Sequence, residues 1–213
     1  MIHSMIHFIE EMTLLDIIQS LTAIWVAVIA TLALNTWKTQ LEASKRTNFI
    51  DELTDLINVY SLTILKLSST IDYCKISIDS SVDALIEDKA IENYKFIHFI
   101  KTEGALSSKE IKDNIIPATE VLTKIKALSV KGHILNFQNY DECVRIIEML
   151  EWSYNQINAF GYLIGRTTLN WSNSLVQETI ETVKKVNGET IRNNINQQNL
   201  EFINFAKRIY KSI

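Results

Sequence analysis

The sequence predicts an all-α protein with a single transmembrane helix near its N-terminal end. The 213 residues include only five Gly and one Pro, too few turn residues for an all-β protein. Apolar residues recur at helical spacing over long stretches, and one long segment carries no charge at all. We therefore expect the transmembrane helix to continue into a long helix, followed by a four- to five-helix antiparallel cytoplasmic bundle.

The charges divide the chain into three segments. All 21 Lys and Arg residues lie at or beyond Lys38, and residues 38–213 contain 22 of the 25 acids. The three remaining acids precede that point: Glu10, Glu11 and Asp16. The opening MIHSMIH leaves the true start open among three methionines: Met1, Met5 and Met12. The predicted segments are a short acidic stub, a transmembrane helix and a helical bundle domain: residues 1–16, 17–37 and 38–213.

The predicted span, residues 17–37, matches a bilayer in length and composition. As a helix its 21 residues extend about 31 Å, close to the ~30 Å hydrocarbon core. Trp37 followed by Lys38 is typical of an interfacial anchor. Two other interpretations are a buried central helix of a soluble bundle and a cleaved signal peptide. The second lacks the basic n-region of a signal.

Basic residues after the span predict its orientation. Lys38, Lys45 and Arg46 follow it, whereas only acids precede it. The positive-inside rule then places the N-terminus outside and the C-terminal domain in the cytoplasm, here at an inner (cytoplasmic) bacterial membrane. The chain has only two cysteines, Cys74 and Cys143, which are too few for a disulfide scaffold. Unpaired thiols fit a reducing compartment.

Small side chains fall on one face of the predicted span. Such residues let two backbones approach closely, which favours association of helices in lipid, although a plain lipid-facing helix has the same composition. The residues of this small-residue face are Ser20, Ala23, Ala27, Ala30 and Thr31.

The first helix of the domain is predicted to extend to about Ile78. From Lys38 the chain contains no Gly or Pro before Gly104, and one apolar stripe follows a helical spacing. The stripe consists of Phe49, Leu53, Leu56, Tyr60, Thr63, Leu67, Ile71 and Cys74, widened by Ile50, Ile57 and Ile64.

Caps and breakers predict the later helices. The second helix should end at Gly104, and Ser107 with Glu110 forms a capping-box pattern for the third. Pro117 predicts a kink or split in that third helix. The predicted ranges are Val82–Thr102, Ser107–Val130 and Asp141–Ile164, with a turn at 131–133 and a last stretch interrupted at Gly188. The polar run 193–199 is interpreted as a solvated helix face. Gly161 with Gly165 is interpreted as a site of close helix packing or a bend before Arg166, rather than as part of a second membrane span.

The sequence offers no constellation for catalysis, so we expect no enzyme, cofactor or metal. Neither His98 nor His133 has a Glu three residues before it, as a metal site in a helical bundle requires. Cys74 lies on the apolar stripe, and the acids before Cys143 should raise its thiol pKa. The net charge of −4 and the absence of a basic, aromatic stripe argue against nucleic acid.

These observations favour a non-enzymatic, membrane-anchored interaction or signalling module, or an accessory subunit. We expect it to form homo-oligomers in the lipid bilayer and to present its bundle to a protein partner. One alternative is an oligomeric pore-forming or membrane-disrupting effector. In that case the pore lining would be Gln19, Ser20, Thr22 and Thr31. Another alternative is an extracytoplasmic helical sensor with reversed topology.

Overall fold

The computed structural model describes residues 2–80 and 89–212, and within these ranges the chain is all-helical, without strands. It contains six α-helices and one π-helical segment that joins α2 to α3. Their bounds are α1 Ile2–Ser80, α2 Lys89–Phe99, the π segment Ile100–Gly104, α3 Ala105–Ile134, α4 Tyr140–Ile164, α5 Ser174–Lys184 and α6 Gly188–Ser212. The contacts divide the chain into two units, the N-terminal unit Met1–Asn48 and the helical unit Phe49–Ile213.

The N-terminal unit consists of a helix with a long exposed stretch. Every residue from Leu14 to Glu42 is exposed. One helix in the described part of the chain is long and apolar enough to cross a membrane. It has a mean hydropathy of 2.1 over an 18-residue window, none of which is buried. A soluble core helix would hide this surface, so the helix is a candidate membrane span.

The helical unit is organised around the predicted apolar stripe of α1. From Phe49 onward a buried residue recurs every three or four positions, and α1 ends two residues beyond the predicted limit. The buried apolar side chains of α1 are Phe49, Ile50, Leu53, Ile57, Tyr60, Ile64, Leu67, Ile71, Cys74 and Ile78. Leu56 and Thr63, which the sequence also places on the stripe, lie at its half-buried edge.

Polar contacts give the directions of the packed helices. Ser61 of α1 donates to Asn199 of α6 at 2.9 Å, and Lys126 of α3 pairs with Glu151 of α4 at 2.8 Å. Further pairs progress in opposite directions along the chain, so α6 runs antiparallel to α1 and α4 antiparallel to α3. These pairs are Asp72 with Arg192, Asp51 with Tyr210, Ser108 with Gly161, and Ser129 with Tyr140.

The predicted helix end at Gly104 and the capping box at Ser107 are both wrong. Gly104 has helical angles, φ −57° and ψ −35°, and no side chain caps α3. The chain passes instead through the π-helical segment directly into α3. A Cβ at Gly104 would collide with the carbonyl oxygen of Ile164, so this glycine permits a close approach of α4. The predicted start of the second helix at Val82 lies outside the described residues.

Two further breaks are also displaced. Pro117 does not split α3, which continues across it to Ile134. Gly132 lies within the last turns of α3, where Tyr140 packs on its Cα, and the connection to α4 comes later. In that connection Asn136 and Asn139 have a left-handed backbone, with φ of 50° and 56°.

The predictions for α4, for the final interruption and for the GxxxG pair are confirmed. α4 ends at Ile164, as predicted, and starts one residue before the predicted Asp141. α6 begins at Gly188. Gly161 and Gly165 both lie against α3: a Cβ at Gly161 would stand 2.7 Å from Cγ2 of Ile111, and one at Gly165 would meet Ser108. The Oγ of Ser108 donates to the Gly161 carbonyl at 2.7 Å, which holds the two backbones together.

The interpretation of residues 193–199 as a solvated face is wrong for four of them. Ile195 is fully buried, and Asn194 donates from Nδ2 to the carbonyl of Met149 at 2.9 Å and to Oγ of Ser153 at 2.8 Å. Gln198 is 2% exposed and donates to Asn194, and Asn199 accepts from Ser61. Asn194 and Asn199 thus join α6 to α4 and α1 by hydrogen bonds, which the periodicity of apolar residues cannot predict.

We predict that Gly161→Val destabilises the helical unit. The new side chain must displace Ile111 and separate α3 from α4, an overpacking that costs about 1–3 kcal/mol, although valine by itself is a better helix former than glycine. At about 2–4 °C per kcal/mol, the apparent Tm followed by circular dichroism should fall by several degrees. Asn158→Val, an exposed position on the same helix, is the matched control. An unchanged Tm for Gly161→Val would contradict the close contact.

Candidate functional site

A continuous exposed apolar surface lies on α1 between Leu14 and Leu41. Fourteen large apolar side chains of this segment are exposed, among them Trp25 at 65% and Trp37 at 60%. Fully burying one such side chain stabilises a protein in water by about 1.5–3 kcal/mol, so leaving all of them exposed to water forgoes a large stabilisation. A lipid bilayer is an environment in which this surface is favourable.

The threonines of this segment satisfy their own hydroxyl groups. Thr22 donates to the carbonyl of Ile18, Thr31 to that of Ala27, both at 2.8 Å, and Thr36 to that of Leu32 at 2.9 Å. Each bond joins a residue to the carbonyl four positions earlier, so the hydroxyl proton needs no water. This arrangement lowers the cost of placing a hydroxyl in hydrocarbon.

All five residues of the small-residue face, and both anchor residues, are exposed on the helix. At 100° per residue, the five fall within an arc of about 100°. The opposite side carries bulky residues, among them Leu21, Trp25 and Leu32. The helix therefore has one side on which a second backbone can approach and another that fills space. Trp37 and Lys38 follow each other at the end of the charge-free run.

Both cysteines are unpaired and buried, and burial is the main reason that neither thiol ionises readily. It raises the pKa of the Cys143 thiol to about 12, against an opposing hydrogen bond with Tyr140 and with a smaller contribution from Glu142. Burial also raises the pKa of the Cys74 thiol, opposed by a hydrogen bond from Ser107. The raised pKa of Cys143 was predicted from the acids that precede it, whereas desolvation of the buried thiol is the larger cause.

His98 and His133, which the sequence excluded as metal ligands of a bundle site, each lie beside an aromatic ring. His98 stacks on Tyr94 with ring centroids 6.2 Å apart, and His133 meets Tyr140 edge-on at 4.9 Å. Among the described residues no group of three or more His, Cys, Asp or Glu side chains is arranged to hold a metal ion.

Three lysines surround a cavity of about 310 Å³ near the C-terminal ends of α1 and α5. Lys75 donates to the carbonyl of Lys184, the last residue of α5, at 2.9 Å. Lys95 donates to the carbonyl of Asp79 in the last turn of α1 at 3.3 Å, and Lys184 donates to Asn93 at 2.9 Å. The final carbonyls of a helix lack partners within the helix and carry its negative pole. These ammonium groups therefore neutralise two helix ends, and burial lowers the pKa of Lys75.

A larger and more apolar cavity, about 490 Å³, lies between α4 and α5 and was not anticipated from the sequence. Arg166 is its charged lining residue, and Tyr162 stands beside it, four positions earlier. Arg166 lies two residues beyond the end of α4, so helical spacing does not account for the pair, and no pattern in the sequence indicated it. The other lining residues are Ala159, Leu163, Thr168, Leu169, Leu175, Val176, Thr179 and Val183.

Comparisons with protein-family models, with curated proteins and with solved structures found no match to this chain.

Proposed function

We propose that the protein is a non-enzymatic, membrane-anchored helical module that associates with copies of itself and presents a bundle to a protein partner. The observation that carries this proposal is that one chain combines an exposed apolar helix, in the N-terminal unit, with a separately packed helical unit. The first needs lipid or protein to cover it, whereas the second buries its own apolar residues. A chain with those two properties is suited to tethering a folded unit at a bilayer.

The anchoring segment is proposed to be residues 17–37, a single-pass span ending at Trp37 and Lys38. Its support is the absence of charge over about 31 Å of helix and the internal hydrogen bonds of its threonines. The helical unit would then form the antiparallel cytoplasmic bundle, held by the core around α1 and the polar contacts of α6.

Membrane retention tests the anchor. Ile24→Lys combined with Val28→Lys places two ammonium groups at the centre of the span, at a cost of about 2.5–3.5 kcal/mol each. We expect the unmodified chain to remain in the membrane pellet after extraction at alkaline pH and the double variant to move to the soluble fraction. The matched control, Ile24→Leu with Val28→Leu, should stay in the pellet. Recovery of the unmodified chain as a soluble protein would refute anchoring.

The orientation is proposed from the basic residues that follow the span, with the helical unit in the cytoplasm. Lys131→Cys tests it, because Lys131 is exposed while the native Cys74 and Cys143 thiols are buried and poorly ionised. A membrane-impermeant maleimide should label the variant only after the cells are permeabilised, and the unmodified chain should stay unlabelled in both conditions. Labelling of Lys131→Cys in intact cells would instead support the extracytoplasmic sensor.

Self-association is proposed to use the small-residue face. Ala27→Leu inserts a bulky side chain at its centre and should weaken association about tenfold, within the range of helix contacts in lipid. Light scattering of the full chain in mild detergent measures the number of chains per particle. Val28→Leu, a similar enlargement outside this face, should leave that number unchanged. A monomer for the unmodified chain, with nothing else in the particle, would argue against the whole proposal.

A further inference from the structure

The cavity between α4 and α5 has the form of a small-molecule site. Its volume of about 490 Å³ lies within the range of ligand pockets, and aliphatic side chains from both helices and their connection line it. Leu175 is 69% exposed at the cavity, a leucine that a partner molecule would cover. Such pockets usually combine apolar walls with one or two polar groups that orient the ligand.

The walls of the cavity are held in place by hydrogen bonds of the connection between the two helices. Asn173 caps α5, its Oδ1 accepting from the backbone N–H of Leu175 at 2.9 Å and of Val176 at 3.4 Å. Gln177 of α5 donates from Nε2 to the carbonyl of Trp171. Leu175 and Val176 both line the cavity, so the cap holds part of the cavity wall in place.

Arg166 places an uncompensated positive charge at this apolar cavity. Its guanidinium lies 4.2 Å from the ring centroid of Tyr162 and donates to the hydroxyl of that residue. Lys112 approaches the same ring at 5.6 Å. Arg145, Arg192 and Arg208 each pair with a carboxylate. Arg166 and Lys112 form no ion pair with any residue that the structure describes.

The shape and the charge together select one kind of ligand. A guanidinium donates two parallel N–H hydrogen bonds to the two oxygens of a carboxylate, which makes the contact both strong and directional. Arg166 is the one cation among the lining residues, whereas Lys112 reaches the Tyr162 ring without lining the cavity. The lining therefore matches a single negative charge, and a phosphate dianion would place a second one against aliphatic walls. The stacked Tyr162 ring keeps the Arg166 side chain beside the cavity, where a carboxylate at the cavity edge can reach it.

We propose that this cavity binds a small apolar carboxylate, with its apolar body between α4 and α5 and its carboxylate on Arg166. The site lies entirely in the helical unit, so the proposal does not depend on membrane insertion. Ligand binding would cover Leu175 and neutralise Arg166, and would join the two helices more firmly.

Calorimetric titration of the full chain in zwitterionic lipid nanodiscs tests the site, with empty nanodiscs as the blank. The probe is 4-phenylbutyrate, compared with 4-phenylbutan-1-ol and 4-phenylbutylamine, which keep the apolar body and change the head group. We expect saturable binding in the order carboxylate, alcohol, amine. Equal affinities for the three probes, or no saturable heat above the blank, would overturn the proposal.

Two variants locate the binding. Arg166→Gln should weaken 4-phenylbutyrate about tenfold, the effect of losing one charge-assisted hydrogen bond, while the alcohol is unaffected. Thr179→Trp fills the cavity from an exposed position and should abolish binding of both. Lys131→Gln removes a cation elsewhere on the surface and should change nothing. Unaltered affinity in Arg166→Gln, with its helical circular dichroism intact, would show that the carboxylate does not bind there.

Discussion

Burial of the α1 stripe is the constraint on which the rest of the helical unit depends. Between Phe49 and Ile78, one side of a single helix is covered so completely that several of its residues have no exposed surface. The polar partners of that helix then determine how the other helices lie on it. Tyr60, fully buried, donates to the carbonyl of Leu150 in α4 at 2.7 Å, and Asp72 pairs with Arg192 of α6.

The same helix has opposite surroundings on the two sides of Asn48. Before it, from Leu14 onward, apolar side chains on every side of the helix are exposed. After it, one side of the helix is buried in the core, and some of its polar groups, such as Ser61, bond to other helices. This change follows from composition. Residues 17–37 contain no charge, so no side of that segment is suited to water, whereas the later stretch alternates apolar and charged residues with the period of a helix. The two kinds of surface suit two different solvents.

Close approach of backbones was the least predictable property of the fold. Gly104 and Gly132 were predicted to end helices, yet both lie inside or between helical segments where another residue occupies the space of a Cβ. Glycine favours turns because it tolerates a positive φ, but none of the five glycines has one; the two described residues that do are asparagines. A single sequence does not distinguish a glycine required by conformation from one required by contact. Gly161 and Gly165 were recognised as packing sites because their four-residue spacing is itself a signal.

The sequence by itself determined the helical class, the exposed apolar segment, the buried stripe of α1 and the limits of α4. Each of these depends on the spacing of apolar residues along the chain or on local composition. Both can be read within one helix, without knowing which other helices pack against it. Only the tertiary structure decided that Asn194 and Gln198 face inward, that lysines neutralise the ends of α1 and α5, and that Arg166 stands beside an apolar cavity. The partners in those contacts come from other helices or across the connection between α4 and α5. Their meeting is decided by how the helices pack, which no local pattern encodes.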